Sequence, residues 1–184
     1  MKLSYKFILL FLIQVELSTS AFAQGLESDL ANVVPYVTTP QSVLNKMMKL
    51  ADLSKNDVLY DLGSGDGRIP IAAAKEFGAR AVGVELDSEL VMMADSLATQ
   101  EGVSDLVEFI QGDLFAVDFS EATVLVLYLW PDLNLKLRPL IQKMKPGTKL
   151  ITHNYDMGNW KPDEMVTIEG EDGRVHKLFL WIIR

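Results

Sequence analysis

The stretch Val58-Leu59-Tyr60-Asp61-Leu62-Gly63-Ser64-Gly65-Asp66-Gly67-Arg68-Ile69-Pro70-Ile71-Ala72-Ala73-Ala74 decides the fold. An apolar, strand-like run carries an acid near its end. Three glycines follow at alternate positions, and then an alanine-rich helix pattern begins. A strand that passes into a helix through a glycine loop opens a doubly wound α/β sheet, and the loop lets a small charged molecule touch backbone.

The spacing narrows the ligand. Gly63, Gly65 and Gly67 read G-x-G-x-G, whereas a dinucleotide fingerprint reads G-x-G-x-x-G, its last glycine allowing close helix–strand packing. That last position is Arg68, too large for the role. The Gly-Lys-Ser/Thr ending of a phosphate-binding P-loop is absent. Asp61 is a poor neighbour for a pyrophosphate and a good one for a cation. The pattern favours S-adenosylmethionine over NAD or a nucleoside triphosphate. Its ammonium suits Asp61, and its carboxylate suits free N–H groups at the helix start, with Gly63, Ser64 and Gly65 of the loop as cofactor-binding residues.

Working outward, Pro40 opens a helix whose apolar stripe is Val43, Leu44, Met47, Met48 and Leu50. The helix after the loop runs to about Phe77 and stops at Gly78. Ala81 to Glu85 reads as a second strand, and Asp87 or Ser88 caps a helix ending near Gly102. Leu106 to Gln111 is a third strand. Ala122 to Leu129 is a near-continuous apolar run, as expected of a central strand covered on both faces. Pro131 starts a helix carrying Leu133, Leu137, Leu140, Ile141 and Met144, stopped by Lys145-Pro146-Gly147. Lys149 to His153 is a fifth strand. Met165 to Glu169 and Val175 to Ile183 flank the turn Gly170-Glu171-Asp172-Gly173 and read as a hairpin. The expected fold class is α/β: one doubly wound, mostly parallel Rossmann-like sheet with a C-terminal antiparallel hairpin, in a single domain over residues 24–184.

In such a sheet, ligands bind outside the carboxyl ends of the strands. Glu85, ending the second strand, is placed to accept hydrogen bonds from ribose hydroxyls; the plainer reading is a solvated strand-end acid. Asp113, after the third strand, is placed for an adenine amino group with Leu114 packed on the ring; the plainer reading is an Asx-turn cap.

Together these residues resemble the class I S-adenosylmethionine-dependent methyltransferases, over most of the chain. A narrower likeness rests on Tyr36-Val37-Thr38-Thr39-Pro40, Asp61 through Ala74, Leu137-Arg138-Pro139 and Trp160-Lys161-Pro162-Asp163. These resemble the family of the ATP synthase c-subunit lysine methyltransferase and its bacterial relatives. The resemblance implies that the segment before the first helix folds over the cofactor, so that Tyr36 and Thr39 line its methionine end. Simple packing for Tyr36 and helix capping for Thr39 remain open. It also implies a protein lysine or another small amine as methyl acceptor. Tyr128 and Trp130, after the fourth strand, stand where a substrate nitrogen would approach, and packing is the alternative for both. Tyr128-Leu129-Trp130-Pro131 lacks the Asn/Asp-Pro-Pro-aromatic motif of adenine and glutamine methyltransferases. Asp156 and Trp160 are weaker candidates, and no residue stands out as a catalytic base.

The 184 residues carry a net charge of -8, which argues against nucleic acid as a partner. There is no cysteine, and the two histidines, His153 and His176, lie far apart in sequence, so no metal site is expected. Lys2 and Lys6, the apolar run Phe7 to Ile13 and Ala21-Phe22-Ala23 read as an export signal over residues 1–23, implying a periplasmic or secreted protein. An uncleaved N-terminal anchor, holding the chain near a membrane, is the alternative. Export conflicts with a cofactor made in the cytoplasm. The rival class is therefore an exported, non-catalytic binding protein with a methyltransferase-like fold. Sequence does not speak to the oligomeric state.

Overall fold

The computed structural model describes residues 37–184, so the expectations placed on Tyr36 and on the export signal lie outside the described residues. The elements in chain order are α1 (Gln41–Leu50), β1 (Val58–Leu62), α2 (Arg68–Phe77), β2 (Arg80–Glu85), α3 (Ser88–Gln100) and β3 (Val107–Gln111). They continue with β4 (Val124–Leu127), α4 (Pro131–Ile141), β5 (Lys149–His153), β6 (Glu164–Glu169) and β7 (Val175–Ile182).

One sheet takes the order β3-β2-β1-β4-β5-β7-β6. The first five strands are parallel, with Asp61 beside Gly83 on one side and Val126 on the other. The hairpin enters by its second strand. β7 lies antiparallel to β5 and to β6, so β7 alone runs against the rest. β4 is buried at all four positions, as a strand covered on both faces must be. β6, at the edge, is mostly exposed.

The core grows from the helical stripe. Val43, Leu44, Met47 and Met48 of α1 are fully buried against Leu59, Val124, Val126, Ile151 and Leu178. Each such side chain contributes about 1.5–3 kcal/mol by leaving water. A second cluster joins Ile71 and Ala74 of α2 to Ala98 of α3 and Val103. The helix ends follow local chemistry. Asp87 accepts the Glu89 N–H at 2.8 Å at the start of α3. Gly78 ends α2 in the left-handed conformation, φ 68°.

Several strand ends shift by one residue from expectation, and three boundaries matter more. Pro40 precedes α1 rather than opening it, extended at ψ 148°. α4 ends at Ile141, and Leu140 faces solvent. β4 stops at Leu127, which leaves Tyr128 and Trp130 in the connection to α4.

Candidate active site at the carboxyl edge of the sheet

The parallel strands deliver Asp61, Glu85, Tyr128 and His153 to one edge of the sheet. Asp61 is nearly fully buried, and no hydrogen bond reaches its carboxylate among the described residues. Burial first, and then the nearby carboxylates of Glu85 and Asp66, hold its pKa well above the usual range. A buried acid among acids is costly until a cation joins it.

Within the loop, the N–H groups of Gly63, Ser64, Gly65 and Gly67 all have partners in the protein. Gly63 and Ser64 both donate to the Val84 carbonyl at 2.8 and 3.0 Å, Gly67 donates to Ser64 O, and Arg68 N–H turns to Asp66. Gly65 N–H donates to Glu85 Oε2 at 2.9 Å. Glu85 Oε1 accepts from Leu86 and Asp87 N–H. Its carboxylate therefore braces the glycine loop, and any contact to a ribose uses its remaining lone pairs. A carboxylate partner for this site must come from groups other than these N–H groups. Close helix–sheet packing is also solved differently. Gly67, not residue 68, gives way: a Cβ there would sit 2.5 Å from Phe109 Cζ and 2.7 Å from Ala94 Cβ.

Asp113 forms the Asx turn, its Oδ1 accepting the Phe115 N–H at 2.9 Å. Its second oxygen has no partner among the described residues. The Gly112 N–H donates to Glu85 O, which pins Asp113 and the half-buried Leu114 next to the β2 terminus.

On the other side, Arg68 grips Asp66 through two nitrogens and donates to the Thr39 carbonyl at 3.1 Å. This ties the segment before α1 to the glycine loop. Thr39 is buried, and its hydroxyl lies 3.4 Å from His153 Nδ1. The Tyr128 ring stacks on His153 with centroids 3.8 Å apart. Trp130, half exposed, lies parallel to Tyr155 at 6.5 Å. Asp156 is spent on the Gly158 N–H, and Trp160 packs on Trp181, away from these groups.

Sequence reasoning missed His153, His176 and Tyr155. The two histidines meet: His153 Nε2 and His176 Nδ1 are 2.8 Å apart, and His176 Nε2 reaches Asp172 at 3.0 Å. No cluster of three metal-binding side chains occurs among the described residues.

Burial, and secondarily the neighbouring His176, pushes His153 down from 6.5 to about 3. The unfolded chain takes up this proton below about pH 6.5, while the folded one resists until about pH 3. Stability from this group is therefore full above pH 6.5 and is lost as pH falls, by at most about 1.4 kcal/mol per unit. Urea melts at pH 7, 5.5 and 4.5 will show the wild type losing stability faster than His153→Asn; parallel losses would refute this.

The residues fit S-adenosylmethionine. A buried, unpartnered carboxylate demands a cation, a pyrophosphate would be repelled, and Ser64 Oγ is buried beside the loop with no hydrogen bond. Fold and site thus define a class I S-adenosylmethionine-dependent methyltransferase. A family model, the ANTKMT methyltransferase domain, matches residues 61–164, and the chain belongs to that family. A protein-lysine N-methyltransferase from Saccharolobus islandicus is 40% identical over 82% of this chain and 94% of that enzyme. The human lysine N-methyltransferase of the ATP synthase c-subunit is 35% identical over 76% of this chain; the chain spans only 59% of that protein's length. Among solved structures, an RNA methyltransferase from Salinibacter ruber in complex with S-adenosylhomocysteine is 52% identical. It matches with a TM-score of 0.76 over 80% of this chain and 94% of that one.

Proposed function

We propose that this methyltransferase modifies the side-chain nitrogen of a protein lysine. The observation that carries it is the 40% identity to a protein-lysine N-methyltransferase over nearly the whole of that enzyme. The site supports the reading. When bound, S-adenosylmethionine supplies an electrophilic methyl group on a sulfonium. Asp61 would hold its ammonium, Glu85 would take its ribose, Asp113 and Leu114 its adenine, and Thr39, with Tyr36 as the family likeness implies, its methionine end. Tyr128, Trp130 and Tyr155 give the incoming amine an aromatic wall, which favours a cation on approach and excludes water. Transfer then depends on alignment more than on an acid or base, in keeping with the lack of an evident base in the site.

RNA is the second reading, favoured by the likeness to the Salinibacter ruber structure. The net charge of -8 weighs against a phosphate-backbone partner. Radiolabelled S-adenosylmethionine, the full chain, and separate pools of bacterial protein and total RNA decide between them. Label recovered in methyl-lysine is expected, and label confined to nucleosides sinks the lysine reading. We also propose export, or anchoring near a membrane, on the strength of Lys2, Lys6 and Ala21-Phe22-Ala23. Cell fractionation with N-terminal sequencing tests it, and an intact chain in the cytoplasm would refute both forms.

A further inference from the structure

The buried histidine pair is used by nothing described so far, yet its hydrogen bonds have a direction. The Asp172 carboxylate can only accept, so His176 Nε2 carries the hydrogen between them. A neutral His176 then presents Nδ1 as an acceptor, and His153 Nε2–H donates to it across 2.8 Å. His153 Nδ1 is left as an acceptor, facing the Thr39 hydroxyl at 3.4 Å. The only hydrogen of that hydroxyl is thus committed to His153, and its lone pairs are what it can offer elsewhere. The depressed pKa of His153 keeps its own ring neutral, with one donor and one acceptor nitrogen, at ordinary pH.

We propose that this one-way chain holds the Thr39 hydroxyl as a hydrogen-bond acceptor for an ammonium group in the active site, with His153, His176 and Asp172 as positioning residues. The proposal rests on the reading that the segment through Thr39 lines the methionine end of the cofactor site. The chemistry fits its neighbourhood. Thr39 O is already tied through Arg68 to the glycine loop that carries Asp61, and Tyr128 covers the same His153 ring from the end of β4. Glu171, next to Asp172, caps the first turn of α1 through the Ser42 N–H and hydroxyl. The tip of the β6–β7 hairpin therefore fixes the Thr39 segment twice. The ionisable groups around the pair are Asp172, Glu171 and Arg174 on the hairpin, Tyr128 after β4 and Tyr155 after β5. A proton added to the pair turns an acceptor into a donor and destroys the polarity of the chain.

Two ammonium groups qualify: that of the cofactor and that of a substrate lysine. Calorimetric titration of the full chain with S-adenosylhomocysteine, which has an ammonium, and 5′-methylthioadenosine, which lacks the amino-acid end, separates them. Thr39→Val will weaken S-adenosylhomocysteine about tenfold and leave methylthioadenosine within twofold. An unchanged S-adenosylhomocysteine affinity with a tenfold higher KM for a lysine-bearing protein assigns the hydroxyl to the substrate instead. His176→Leu will reproduce the Thr39→Val loss. His176→Asn, whose amide oxygen stands in for Nδ1, will restore most of it. Asp172→Ala, on the exposed turn where folding is not at stake, will cost about threefold or more. Wild-type behaviour in Thr39→Val, or in both His176→Leu and Asp172→Ala, overturns the proposal. Loss in Thr39→Val without loss in the other two leaves Thr39 a ligand residue and removes the chain's role. A wild type that fails to bind S-adenosylhomocysteine is a separate result, which removes the cofactor reading and this proposal with it.

Discussion

Asp61→Asn will weaken S-adenosylhomocysteine binding by at least about a hundredfold while raising the melting temperature of the ligand-free protein. Both effects have one source. The carboxylate is buried, lacks a hydrogen-bond partner among the described residues, and stands close to Glu85 and Asp66. Removing one member of a buried ion pair costs about 3–5 kcal/mol, which is about two to four orders of magnitude in affinity. In the free protein the same charge is uncompensated, so folding holds the carboxyl protonated above its ordinary pKa. The sign follows: a raised carboxyl pKa means stability present in acid and lost as pH rises through the folded value. At pH 8 the amide avoids that cost, and we expect a gain of about 1–2 kcal/mol, or about 2–8 °C for a domain of this size. Calorimetry and thermal melts on one preparation test both. A variant that binds normally, or that melts lower than wild type, would remove Asp61 from the ammonium site.

Gly67→Ala will destabilise the fold by about 3 kcal/mol, enough to lower the melting temperature by about 6–12 °C. The backbone there is left-handed, φ 75°, which costs an alanine about 1 kcal/mol or more. The added Cβ also meets the Phe109 ring at 2.5 Å and Ala94 Cβ at 2.7 Å. The ring has limited room to turn, and the alanine of α3 has none without moving the helix. Gly102→Ala is the control, with a similar φ of 70° and open space around it, and it will show the backbone cost alone. Equal melting shifts in the two variants would show that Gly67 is not a packing contact.

Much of the fold can be read from the chain because β4 is apolar at every position, a glycine loop follows β1 and Glu85 closes β2. Lys149 to His153 and Val58 to Leu62 coincide with observed strands to the residue. Periodicity carries no strand order, however. The separation of 23 positions between His153 and His176 looks like distance on paper. In the sheet β7 inserts beside β5, His153 pairs with Leu178, and His176 lies two residues further along the same strand. The acids of the site were legible because a charged residue at a strand end is conspicuous. The commitment of the loop N–H groups was not, because it depends on Val84 and Glu85 of the neighbouring strand. The packing role of Gly67 is hidden for the same reason: it is set by Phe109, which is distant in sequence.

The insertion of β7 between β5 and β6 has a consequence for how the chain is made. Until β7 has left the ribosome, β5 is an open edge of the sheet, and an open edge invites pairing with other chains. The Glu171 cap on α1 and the outer half of the histidine chain arrive in the same stretch. The first described helix of the domain is thus finished by the last of the described elements, and a nascent chain lacks a fastened active-site segment until that hairpin has emerged.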